Sequence, residues 1–316
     1  QSCSGVRMLH RHQFESFEAS ENGVTARVTD LESGVTRIIR ARHLAGCDGA
    51  ASRVREALGI ELIGPEALSR SIHMFFRTPD LLGDLGVRPT NFFLLIDRDG
   101  FWGSLRVMDP ANGLWRLMID DLPEQADASN INFDDVLFRA TGQRLAVEWI
   151  SSSVWTRRGV IAQRFAEDPV YLAGDAVHQV SPTGGLGMNT GIADAVDLGW
   201  KLAAVHAGWG GPRLLASYSA ERQPAGARVV RMTTEYYAGA IGVSDGLQNI
   251  EADTLAGDAL RESLGRHLSE VTAREFRTLG LQLGYWYENS PICVADGSPP
   301  PSDDPAEYHA CARPGS

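Results

Sequence analysis

Apolar and polar positions alternate with a period of two at Phe14–Glu18, Val24–Thr29 and Thr36–Ile39, and the runs are separated by Glu21-Asn22-Gly23 and Glu32-Ser33-Gly34. Alternation broken by glycine-bearing turns predicts short antiparallel strands joined as hairpins. A further strand is predicted at Arg42–Cys47, then a loop at Asp48-Gly49 and a helix from Ser52 to Leu58, so that strand, acid-glycine turn and helix follow in order. From Gly64 to Val160 the alternation returns at Ser71–Arg77, Asn91–Ile96, Gly103–Met108 and Trp115–Asp120, which predicts an antiparallel sheet forming a second domain.

The period then becomes helical. Over Ile192–Val205, Ala193, Val196, Leu198, Leu202 and Val205 recur among small residues suited to close packing. A second helix is expected from Leu214 through Glu235, with a kink or boundary at Pro224, because proline lacks a donor and crowds the preceding turn. Residues 275–287 are apolar and aromatic, whereas 296–305, rich in Pro, Ser and Asp, read as an exposed tail or linker. The chain shows no internal repeat.

Composition narrows the class. With 316 residues, 43% of them hydrophobic, the chain can bury a large core and is expected to form two domains. A net charge of −11 argues against nucleic acid or an anionic membrane as partner. Cys3, Cys47, Cys293 and Cys311 lack C-x-x-C spacing, so neither a zinc site nor a disulfide framework is indicated and a reducing cytoplasm is expected. No apolar run approaches the length of about 18 residues that spans a bilayer. No acid pair, nucleophilic triad or metal cluster stands out.

The richest segment runs from Val170 to His178 and on through Pro182 to Gly191. Tyr171, Leu172 and Ala173 suit a buried strand, Gly174 permits a close turn, and Asp175 at the strand's carboxyl end can accept two sugar hydroxyls. The glycines from Gly184 to Gly191 leave peptide N–H groups uncovered beside a helix start, a surface for an anionic group. Asp48 has two readings: a loop beside a dinucleotide, with Ser52 and Arg55 as donors, or an ordinary Asp-Gly turn capping a helix.

The segments Gly46-Cys47-Asp48-Gly49-Ala50-Ala51-Ser52-Arg53-Val54-Arg55, Leu172-Ala173-Gly174-Asp175-Ala176-Val177-His178 and Asp194-Ala195-Val196-Asp197-Leu198-Gly199-Trp200-Lys201-Leu202 resemble the middle and late motifs of FAD-dependent aromatic hydroxylases. These are single-component flavoprotein monooxygenases, phenol and polyketide hydroxylases among them, and the resemblance runs from Gly23 to Ser316. It implies an α/β (α+β) fold in which a Rossmann-like FAD-binding domain is interrupted by an antiparallel substrate sheet. The implied divisions are 1–65 and 161–210 for FAD, 66–160 for the sheet, 211–290 for a helical region and 291–316 for a Pro-rich tail.

By the same resemblance, Gly174 and Asp175 bind the ribityl chain of FAD, and Pro182, Gly184, Gly185, Leu186, Gly187, Met188 and Asn189 lie against the isoalloxazine. Asp48, Gly49 and Arg55 help place the pyrophosphate and the nicotinamide donor, NADH or NADPH. With O2, a flavin C4a-hydroperoxide then hydroxylates an aromatic substrate lying between the flavin and the sheet. His73, Phe93, Arg106 and Pro182 are the substrate candidates, His73 and Arg106 for orienting a phenolate or acid, while Phe76, Phe92, Phe101, Trp102, Trp115 and Met118 are mostly expected in the core. His178 either reaches the flavin region or serves local hydrogen bonding.

One element of the family pattern is not found. No strand with a G-x-G-x-x-G turn and helix lies in Gln1–Leu44, and Gly185-x-Gly187-x-x-x-Gly191 lacks its spacing. The adenosine half of FAD is therefore expected to need an upstream segment that is cleaved, disordered or a separate chain, and no catalytic base is assigned. A homodimer is a further expected association. Alternative functions are an epoxidase or Baeyer-Villiger oxygenase on the same scaffold, or a nonenzymatic fragment or assembly subunit; a halogenase is disfavoured because no characteristic lysine motif is present.

Overall fold

The structure, a computed structural model, describes residues 5–123, 128–242 and 246–315, so Gln1, Cys3 and Ser316 lie outside the described residues. The amino-terminal alternation folds as an antiparallel meander of β1 (His12–Ser20), β2 (Gly23–Asp30) and β3 (Thr36–Ala41). β4 (Leu44–Gly46) and α1 (Arg53–Ala57) follow, then β5 (Leu62–Ile63).

The second alternating region forms β6 (Ser69–Arg77), a short α2 (Leu81–Leu85), β7 (Phe92–Asp97), β8 (Gly100–Asp109), β9 (Leu114–Ile119), α3 (Phe133–Thr141) and β10 (Glu148–Arg157). Its five strands are antiparallel in the order β10-β6-β9-β8-β7. One face is apolar and closed: Ile72, Met74, Phe76, Leu105, Trp115 and Leu117 are buried there against Leu81 and Leu137. The period of two then places Ser71, His73 and Phe75 on the opposite face.

The chain returns to the first region with β11 (Val160–Ala162), β12 (Ala166–Glu167), β13 (Val170–Leu172) and β14 (His178–Gln179), then α4 (Gly187–His206), α5 (Pro212–Ile241), α6 (Leu255–Ala273) and α7 (Leu279–Leu283). β13 pairs in parallel with β4, far away in sequence, Leu172 standing opposite Gly46. A parallel pair covered by helices must be buried on both faces, and Val170, Tyr171 and Leu172 are. From α5, Tyr218 donates its hydroxyl to the Leu172 carbonyl at 2.7 Å.

Three expectations are corrected. Pro224 is no boundary, since α5 runs through it; the lost donor is outweighed by burial of Tyr218, Ala225, Val229 and Val230 along the same helix. α4 begins at Gly187 rather than Ile192. The Pro-rich segment is tied down, with Arg228 Nε donating to Asp303 at 2.7 Å and Leu281 N–H to the Pro305 carbonyl at 2.9 Å. Among the described residues no helix is long and apolar enough to cross a membrane.

Candidate active site

The parallel strands β4 and β13 end side by side, and the chain turns away after each one. In open α/β sheets, ligands bind outside the carboxyl ends of such strands. After β13, Gly174 adopts φ 65°, a left-handed conformation that costs other residues strain. A Cβ added to Gly191 would lie 3.1 Å from Gly174 Cα, so glycine at 191 lets α4 pass hard against the turn. Three residues further along α4, Asp194 accepts the Gly174 N–H at 3.1 Å.

The same carboxylate is bonded to His178 Nε2 at 2.7 Å and accepts from Arg222 Nε at 2.9 Å, all three side chains being buried. Burial opposes the Arg222 charge, but Asp194 and Tyr287 hold its pKa above the ordinary value, so the guanidinium stays charged. The turn is thus pinned from behind. Asp175 projects to solvent from it, and its carboxylate has no partner among the described residues.

After β4, Ser52 caps α1 by accepting the Arg55 N–H at 3.0 Å, and Asp48 braces that cap, accepting from Ser52 Oγ at 2.5 Å and from Val54 N–H at 3.1 Å. The capped-helix reading is therefore the one its carboxylate follows. Arg55 points inward, 6% exposed, and its Nη1 donates to the carbonyls of Ala50 at 3.2 Å and Ala176 at 3.1 Å. It clamps the two strand-end loops together. Gly49, at φ 81° with open space around it, leaves backbone exposed in that loop.

The third wall is the Pro182 loop. Pro182 is exposed, and Gly184 and Gly185 take φ 82° and 67° in a tight turn. The Leu186 side chain is 3% exposed and packed with Val229, Tyr236 and Leu281, closing the base of the loop, so only its backbone borders the open side. α4 then starts with no side-chain cap, leaving the N–H groups of Gly187, Met188 and Asn189 without carbonyl partners in the helix. Asn189 Nδ2 turns back to the Gly185 carbonyl at 3.2 Å, and Met188 is exposed.

Arg157, at the end of β10, joins this loop to the open face of the five-stranded sheet. Its Nη1 donates to Ser181 Oγ at 3.0 Å, and its guanidinium lies 4.0 Å from the Tyr237 ring centroid and 5.3 Å from that of Trp155. Trp155 stands 5.8 Å from the His73 ring. Burial, then the neighbouring Arg116 charge, pushes His73 down to about 4, so its imidazole is neutral at physiological pH. Arg106 is on the same face, exposed and near Phe92. Phe93 is not: it pairs with Leu105 and packs into the closed core, so Phe92 rather than Phe93 looks onto the His73 side.

A family model described as FAD binding domain matches residues 1–233. The chain belongs to the FAD-dependent aromatic hydroxylase family. It is 32% identical over 315 residues to the FAD-dependent monooxygenase opdD of Penicillium oxalicum, covering 94% of this chain and 59% of that protein. It is 31% identical over 309 residues to aklavinone 12-hydroxylase DnrF of Streptomyces peucetius, covering 95% and 57%. The structure of the rebeccamycin biosynthetic enzyme RebC with reduced flavin superposes with a TM-score of 0.81 at 34% identity, covering 96% of this chain and 56% of that one. The chain thus spans between half and two thirds of the length of these relatives.

For an FAD-dependent hydroxylase, the residues present fit the cofactor: an unpartnered acid at a strand end suits ribityl hydroxyls, and an uncapped helix start suits the negative edge of a reduced flavin. Sequence reasoning quoted Asp194 but gave it no role, and missed Arg222 and Arg157. The available signal was polarity on the buried side of α4, where Asp194, Asp197 and Lys201 recur at helical spacing among alanines and leucines. Lys201, fully buried, is held by Asp197 at 2.7 Å and by Glu221 of α5, fastening the two helices behind the site.

Proposed function

We propose that this chain is the central and carboxyl-terminal portion of a flavoprotein monooxygenase that hydroxylates a phenolic or polyketide-type aromatic with NADH or NADPH and O2. The chemistry that FAD supplies when bound is transfer of one atom of O2 to an aromatic carbon, the other leaving as water at the expense of the nicotinamide. Asp175 holds the ribityl hydroxyls, Gly174 lets the chain approach, and the N–H groups at the start of α4 stabilise negative charge at the pyrimidine edge. Pro182 and the Gly184-Gly185 turn flank the ring. Gly49 borders the pyrophosphate side, and Arg55 acts by positioning the loops. His73 and Arg106 face the substrate across Trp155 and Phe92.

The observation that carries this reading is the unpartnered Asp175 carboxylate beside a turn pinned by Asp194. A strand-turn-helix upstream of this chain, in the same polypeptide or as a separate one, is assigned the adenosine. The test uses the full-length protein. Consumption of NADH or NADPH stimulated by a polycyclic phenol, with label from 18O2 in the product, supports the proposal; label from water, or flavin binding unchanged by Asp175→Ala, overturns it.

A further inference from the structure

We propose that His43 and His206 form a binding site for a divalent transition-metal ion, zinc by its geometry, which staples the start of β4 to the end of α4. The site is separate from the flavin. His43 immediately precedes β4 and His206 is the last residue of α4, whereas the cofactor loops follow the other end of β4 and lead into the other end of α4. The 20 residues of α4 put about 30 Å between its ends, at about 1.5 Å per residue.

His43 Nδ1 and His206 Nε2 lie 3.3 Å apart, and the two ring centroids 5.0 Å apart with their planes at 65°. Imidazoles sharing one tetrahedral zinc, each at a Zn–N distance of about 2.0–2.1 Å, hold their nitrogens roughly 3.3 Å and their centroids roughly 5.2 Å apart. The rings therefore already stand as two ligands of one ion. A direct hydrogen bond accounts for them less well: with the nitrogens facing each other along one line, the centroids would be roughly 5.6 Å apart rather than 5.0 Å.

The surroundings favour a cation. The last turn of a helix carries the negative end of its dipole, and His206 sits in that turn. Of the fixed charges acting on His43, that of Asp168 outweighs that of Arg42. Asp168 is exposed and oriented by the Tyr171 hydroxyl, which donates to its Oδ1 at 2.5 Å. The two histidines are 163 residues apart, so an ion between them closes a loop that holds the whole five-stranded sheet. Clips across long loops stabilise by restricting the unfolded chain. The same separation hides the pair from any reading of local spacing.

The untagged full-length protein, freed of metal by dialysis against EDTA, is titrated with zinc chloride at neutral pH by isothermal calorimetry, and its melting temperature is measured with and without zinc. Zinc should bind with a dissociation constant well below about 1 mM and should raise the melting temperature. His43→Gln and His206→Gln, the second at an exposed position, should each weaken binding at least about tenfold and remove most of that rise. Magnesium, which prefers oxygen ligands, should not replace zinc. His309→Gln is the control, because His309 lies with Asp304 and Glu307 in the tail, where three ligand atoms also converge. Binding no tighter than about 1 mM, binding that keeps its strength in both variants of the pair, a loss confined to His309→Gln, or equal binding of magnesium overturns the site. Binding at the pair with no rise in melting temperature overturns the staple.

Discussion

Asp194 accepts the backbone N–H of Gly174 at 3.1 Å, so an acid inside α4 fixes the turn from which Asp175 projects. The exposed acid is thus positioned by a second acid that never reaches solvent. Arg222 and His178 satisfy the rest of its buried carboxylate.

Replacing Asp194 with Ala leaves Arg222 buried and unpaired and frees the Gly174 N–H. Breaking a buried pair in this way costs about 3–5 kcal/mol. Urea denaturation of the variant should show that loss, together with weaker flavin retention; a wild-type midpoint would show that the turn is held by something else.

Asp175→Ala should behave in the opposite manner. The side chain is exposed and without a partner, so stability should stay within about 0.5 kcal/mol of wild type. FAD affinity of the full-length protein should fall about tenfold to a hundredfold as charge-assisted hydrogen bonds are lost. Equilibrium titration of the apoprotein separates the two effects.

Arg55→Met removes a clamp between the two strand-end loops. The Ala50 carbonyl keeps its bond from Gln179 Nε2 at 3.0 Å, but the Ala176 carbonyl loses the donor at 3.1 Å, at a cost of about 1–3 kcal/mol if left unsatisfied. The expected outcome is faster flavin dissociation in stopped-flow measurements with no change in selectivity among aromatic compounds. Altered selectivity with normal flavin dissociation would place Arg55 at the substrate instead.

His73 gives a pH signature. Its pKa is pushed down to about 4 in the folded protein, chiefly by burial and then by Arg116, below the value of about 6.5 that an unfolded chain shows. Between these values the unfolded state holds more protons, so this residue makes stability rise with pH from about 4 to about 6.5 and level off above. Melting temperatures of wild type and His73→Gln over that range should converge at neutral pH and diverge in acid, with the wild type lower. Parallel curves would mean that the imidazole is not the desolvated group.

Much of this protein is written locally. The meander, the strands of the large sheet and the Gly174-Asp175 turn follow from alternation and from residues that only certain turns accept, and those signals act over a few neighbours. β10 escaped because its serine run and the register shift between Trp149 and Ser151 blur the period of two, and α6 because it is largely exposed. The side on which a residue lies needs more than alternation: Phe92 and Phe93 look equivalent in sequence, and only pairing with Leu105 over the closed core sends Phe93 inward. Pro224 argues for a helix boundary until the burial around it is known.

The site divides in the same way. The sequence by itself determined that an acid follows a buried strand and that glycines precede a helix, since both are properties of contiguous residues. Tertiary structure alone decided that Arg55 binds two loops, that Asp194 reaches Gly174, and that Arg106 meets Arg116 beside His73. These contacts join residues far apart in the chain, and their energies come from burial and pairing, quantities that exist only once the sheet and helices have packed.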